Sequence, residues 1–161
     1  ARAACTSTSS RSSTSTGASL SRAVVDRDLV LKKLAFVETC VHELRTLARP
    51  ELIGADVREE RFVVHTLQLA AQAALDVASH VVSDQRLGEP ETNRQLFDLL
   101  EGAGWVAPQL ARSMREIAGF RNVVVHGYEK VDLRIVADVL RNRLGDLLDF
   151  VESVRTRLES D

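Results

Sequence analysis

Aromatic side chains are scarce in this chain: they make up 4% of its 161 residues, with one Trp, one Tyr and five Phe. A core built from this sequence must therefore come mostly from Leu, Val, Ala and Ile. Cysteine is limited to Cys5 and Cys40, with no CxxC and no Cys/His spacing of a zinc site. That argues against a metal centre and a structural disulfide, and fits a reducing cytoplasm. No apolar run approaches the roughly 20 residues that a membrane span needs, so no membrane association is expected. An excess of positive charge is missing too. Formal net charge is -2, and from Asp26 onward 18 basic residues face 23 acidic ones. A general nucleic-acid coat would be basic. Any contact with RNA must use a local patch or a partner's charge. The length fits one domain, without room for a second full core.

Residues 1–21 form a compositional block of their own. Twelve of the 21 are Ser or Thr and none is acidic, so this stretch buries too little apolar surface to fold alone. A targeting leader is one reading. No amphipathic helix accompanies its arginines, which favours a disordered tail, expression-derived residues or a misplaced start. The folded domain is expected over residues 26–161.

From Asp26 the apolar pattern is helical. Leu29, Leu31, Leu34, Val37, Val41, Leu44 and Leu47 recur at mostly threes and fours, and Pro50 stops the helix. A second helix is expected from about Asp56 to Leu87, ended by Gly88 and Pro90. Thr92 or Asn93 suits the cap of a short third helix, closed by Gly102 and Gly104. Pro108 suits the first turn of a fourth. Asp132 suits the cap of a last helix running to about Leu158. The pattern predicts an all-α antiparallel bundle of about five helices. Val123–Val125 is the one β-branched run that disfavours helix. A lone strand would have no partner, so the fourth helix is expected to end at Gly127.

Arg121, His126 and Tyr128 fall within eight residues. Arginine is a permanent cation whose planar fork grips a phosphate by two hydrogen bonds. Histidine titrates near neutral pH and moves protons. Such a pair supports RNA transesterification without a metal or an organic cofactor. The imidazole takes the 2′-hydroxyl proton or protonates the leaving 5′-oxygen, while arginine stabilises the charge on the phosphorane. Asn122, four residues before His126, would share its face and orient it. On a straight helix Arg121 and His126 lie about 140° apart. A π-bulge, a break near His126, or a second copy across a twofold axis would bring the two together. Arg and His at this spacing also arise by chance at helix ends.

The run Arg121-x-x-x-x-His126-x-Tyr128 resembles the signature of HepT-type toxins, minimal HEPN-domain proteins of toxin–antitoxin pairs. The likeness extends to Leu67-Gln68, Gln72, Asp76 and His80, to Gly88, Pro90, Phe97, Leu100 and Gly104, to Met114 and Gly119–Asn122, and to Asp149-Phe150. It implies a homodimeric HEPN-like bundle, a cytoplasmic, metal-independent endoribonuclease, with Arg121 and His126 catalytic and Asn122 supporting. It also implies an MNT-type nucleotidyltransferase antitoxin that transfers AMP onto Tyr128. The bulky anion so placed would block the phosphate subsite. Two positions depart from the pattern: Gln72 stands where relatives often carry an acid, and Gly127 where they carry a polar residue. The alternative is a non-catalytic helical subunit of a nucleotidyltransferase, or a plain dimeric scaffold.

Other residues carry weaker signals. Asp76 and His80, one turn apart, suit either a support for the site or a polar pair on a helix face. His42 and His65 are expected to be structural or solvated. Trp105 suits a base-stacking platform, but an anchor to the bundle is the simpler role.

Overall fold

The structure, a computed structural model, describes residues 17–126 and 131–160, with side chains from Arg27 to Val124 and from Val131 onward. Among the described residues it is all-helical. Six α-helices follow in order: α1 (Gly17–Leu47), α2 (Val57–Asp84), α3 (Asn93–Gly102), α4 (Pro108–His126), α5 (Leu133–Asn142) and α6 (Leu144–Ser160), with a 3-10 turn at Pro50–Leu52.

Local chemistry sets most boundaries. Asp56 caps α2 by accepting from the Arg58 amide at 2.8 Å. Thr92 caps α3 by accepting from Gln95 N at 3.3 Å, while the Gln95 side chain takes the Glu91 amide at 2.6 Å, a near-reciprocal box. Because Thr92 does the capping, the Asn93 side chain is released for another partner. After Ala103 the chain turns through Gly104 at φ +73°. There the Trp105 and Gly104 amides return to the Leu100 and Glu101 carbonyls at 2.9 and 3.0 Å, a Schellman closure that favours glycine.

Two expectations change. The first helix starts at Gly17, ahead of Asp26, because Ala18, Leu20, Arg22 and Ala23 are good helix formers and nothing between them and Asp26 breaks the helix. Residues 1–16 of the Ser/Thr block lie outside the described residues. The single last helix is two. α5 ends at Asn142 and α6 begins at Leu144. At the joint Arg143 hydrogen-bonds Ser113 at 3.1 Å and pairs with Glu116 and Asp146. Gly145, in the first turn of α6, weakens any continuous helix across this point.

The bundle is antiparallel where it matters for the site. Lys33, midway along α1, meets Asp76, in the second half of α2, at 2.7 Å, and just past the end of α1 the Arg49 amide donates to Glu59 in the first turn of α2 at 2.6 Å. Arg115 of α4 meets Asp98 and Glu101 of α3 at 2.7 and 2.9 Å, while the start of α3 reaches Asn122 near the end of α4. α2 is central and packs on α1, α3 and α4. Its buried Ala70, Ala71, Ala73, Ala74 and Ala78 let the neighbouring helices approach closely. Phe97 and Phe150, both buried, meet edge to face at 5.8 Å between centroids, a geometry worth about 1 kcal/mol beyond burial. Trp105 is 5% exposed with the Arg157 guanidinium 5.9 Å above its ring. It is an anchor, closed to a stacking base.

Candidate active site

The fourth helix carries the motif. It is α-helical without interruption to His126, so Val123–Val125 is helix and not strand, and Arg121 and His126 stand on one helix without a π turn or a break between them. The His126 side chain and Tyr128 lie outside the described residues.

Arg121 is half-buried and held from two sides. Its Nε donates to Gln72 Oε1 at 2.7 Å, and its Nη1 donates to Asn122 Oδ1 at 3.4 Å. Asn93 Nδ2 donates to the same Asn122 oxygen at 3.3 Å. Asn122 thus joins α3 to Arg121, a contact its place four residues before His126 did not foretell. Gln72 in turn donates from Nε2 to Asp76 Oδ1 at 2.8 Å, and Lys33 donates to Asp76 Oδ2 at 2.7 Å. The result is one connected chain from α1 through α2 and α4 to α3: Lys33, Asp76, Gln72, Arg121, Asn122, Asn93.

Asp76 therefore serves this chain. Burial pushes its carboxyl pKa up, but the hydrogen bonds from Lys33 and Gln72 and the nearby charges of Lys33 and His80 outweigh that and hold it below the ordinary value. The carboxylate stays ionised at neutral pH. His80 acts on it through charge, while its ring borders a small cavity with Trp105 and Leu158. His42 and His65 are exposed. Next to the motif, Gly119 leaves room for the Arg94 guanidinium to lie on α4, where a Cβ would strike it.

Gln72, Lys33 and Asn93 are the members of this chain that spacing did not assign to the site. Gln72 stands out in the sequence only through the family resemblance, both as part of the second-helix likeness and as a departure from the usual acid. Nothing in the periodicity of α2 says that its polar edge meets α4.

A cavity of about 300 Å³ opens between α4 and α5, lined on its apolar side by Ile117, Phe120, Val123, Val131 and Ile135. Val123 and Ile135 remain 51% and 46% exposed. Among the described residues no group of His, Cys, Asp and Glu could hold a metal ion, and no helix is long and apolar enough to cross a membrane.

The all-helical bundle has the fold of a solved HEPN toxin. The chain belongs to the ribonuclease HepT-like family, whose model matches residues 37–154. It is 26% identical over 129 residues to the mRNA nuclease HepT of Shewanella oneidensis, covering 80% of this chain and 97% of that protein. It is 36% identical over 66 residues to the tRNA nuclease HepT of Aphanizomenon flos-aquae, covering 41% and 45% of the two chains. The solved structure of the tri-AMPylated Shewanella oneidensis HEPN toxin in complex with its MNT antitoxin superposes with a TM-score of 0.74 at 26% identity, over 80% of this chain and 98% of that one.

Proposed function

We propose that this protein is the toxin of a toxin–antitoxin pair, a metal-independent endoribonuclease acting in the cytoplasm through Arg121 and His126. The observation that carries the reading is Arg121 itself. Gln72 and Asn122 hold it at Nε and Nη1, five residues before a histidine on the same helix, in a chain of the HepT-like family. Arg121 binds the scissile phosphate and stabilises the charge that grows on its oxygens. His126 moves the proton of the 2′-hydroxyl or of the leaving 5′-oxygen. DNA is spared because it lacks the attacking hydroxyl. Asn122 supports the site by hydrogen-bonding Arg121, and Asp76 supports it through Gln72, with His80 one turn further along α2.

The working unit is a homodimer of the helical domain, whose α1 already takes in the end of the Ser/Thr-rich leader. An unbroken α4 keeps Arg121 and His126 about 140° apart within one subunit, which favours a site completed by the second copy. The exposed Val123 and Ile135 beside an apolar cavity offer surface for that copy to cover.

The partner in this reading is an MNT-type nucleotidyltransferase antitoxin. It transfers AMP from ATP onto the Tyr128 oxygen: the phenol O–P bond forms, the α–β phosphoanhydride breaks, pyrophosphate leaves and the phenol proton is lost. The added anion competes with RNA for Arg121.

Expression without the antitoxin tests the proposal. It predicts growth arrest that is relieved by Arg121→Ala and by His126→Ala. Arrest that persists unchanged in both variants overturns it.

A further inference from the structure

We infer that Gln72 is a positioning residue for Arg121: a neutral amide that fixes the guanidinium while insulating it from the Asp76 carboxylate, so that its whole charge is left for a phosphodiester. The inference rests on the ribonuclease reading and deepens it.

The amide has only one workable orientation. Its oxygen meets the Arg121 Nε at 2.7 Å and its nitrogen meets the Asp76 oxygen at 2.8 Å. Turned over, the NH2 would face a cation and the carbonyl a carboxylate, losing both hydrogen bonds. Gln72 is thus locked by opposite charges at its two ends. It passes geometry from α1 and α2 to the motif and passes no net charge. The carboxylate behind it is already balanced, because Lys33 pairs with Asp76 at 2.7 Å.

A carboxylate at position 72 would behave differently. It would form a direct ion pair with Arg121, and RNA would have to displace it before engaging the guanidinium. With an amide there, Arg121 spends its Nε on Gln72 and one Nη1 hydrogen on Asn122. Among the hydrogen bonds of the described residues, Nη2 donates to none. Arg121 is accordingly held without being neutralised, the condition a phosphate-binding arginine needs.

The test uses the full chain without antitoxin and a fluorescein-labelled, 2′-O-methylated RNA oligonucleotide of mixed sequence, which lacks the attacking hydroxyl and binds uncut. Gln72→Glu is expected to weaken binding about tenfold and to reduce the salt dependence by about 0.7 in log–log slope, the loss of one single-strand phosphate contact. Arg121→Ala is expected to do the same, and adding Gln72→Glu to it to do nothing more. Gln72→Met keeps the charge of Arg121 but releases it. It is expected to leave the slope unchanged and lower kcat on total RNA about tenfold with KM little altered. Thermal melting confirms that each variant is folded, and Gln72→Met carries the test should Gln72→Glu fail to fold. A Gln72→Glu effect that adds fully to Arg121→Ala, or Gln72 variants that match wild type while Arg121→Ala does not, overturns the inference alone. If Arg121→Ala itself changes neither binding nor cleavage, the ribonuclease reading falls and this inference with it.

Discussion

The Nε of Arg121 donates to the side-chain oxygen of Gln72 at 2.7 Å, across 49 residues of sequence. That bond ties the motif-bearing end of α4 to the middle of α2. It orients a long cationic side chain that would otherwise sample many rotamers, and it does so with a neutral acceptor. Through Asp76 and Lys33 the same tie reaches α1, so the site's geometry depends on the packing of three helices.

Lysine should not replace Arg121. It offers a single ammonium in place of an Nε and two Nη groups, and so cannot hold Gln72, Asn122 and a phosphate in the same planar geometry. Cleavage of total RNA should fall about 100- to 1,000-fold in Arg121→Ala, the usual loss of a transition-state donor, and recover little in Arg121→Lys. Initial rates at saturating RNA measure both.

The proposed completion of the site by a second copy has a direct consequence for mixtures. Arg121→Ala and His126→Ala homodimers should each be inactive, whereas a heterodimer would keep one Arg and one His on opposite subunits. Co-expressed, differently tagged variants purified through both tags should regain a clear fraction of wild-type cleavage. A heterodimer as dead as its parents would place both groups of each site in one subunit.

Tyr128 is assigned to regulation and not to catalysis. Tyr128→Phe should therefore cleave RNA at close to the wild-type rate but resist silencing by the antitoxin and ATP. Intact-mass and peptide spectrometry should find AMP on the wild-type residue and none on the variant.

Glu38 links α1 to α6 through two 2.9 Å hydrogen bonds from Arg155. The Arg155 hydrogen bond and charge hold its carboxyl below the ordinary value, against a smaller opposing push from burial. A depressed carboxyl contributes stability that is present above its unfolded pKa, about 4.3, and lost as pH falls through the folded value. Urea unfolding should show Glu38→Gln less stable than wild type at pH 7. The difference should shrink as pH drops below about 4 and vanish once the wild-type carboxyl is protonated.

Local chemistry made much of this fold readable. Asp56, Thr92 and Asp132 are caps because their side chains accept the orphan amides of a first turn, and the Pro108 ring suits only a helix start. The joint at Arg143 was hidden because Leu140, Leu144, Leu147, Leu148 and Val151 keep helical spacing across it. A one-residue interruption leaves an apolar stripe in register, and only Gly145 hints at it. The motif on α4 was legible as residue types at a spacing. Its partners were not, because Gln72 reaches Arg121 from α2, Asn93 reaches Asn122 from α3 and Lys33 reaches Asp76 from α1, and no periodicity states which polar edges meet.

Cleavage of total RNA by the purified, antitoxin-free protein in the presence of EDTA bears most directly on the central claim. Wild type should cut under chelation as fast as without it, while His126→Ala and Arg121→Ala, folded by circular dichroism, should not. Activity abolished by EDTA and restored by a divalent metal, or equal cutting by wild type and both variants, would contradict the account.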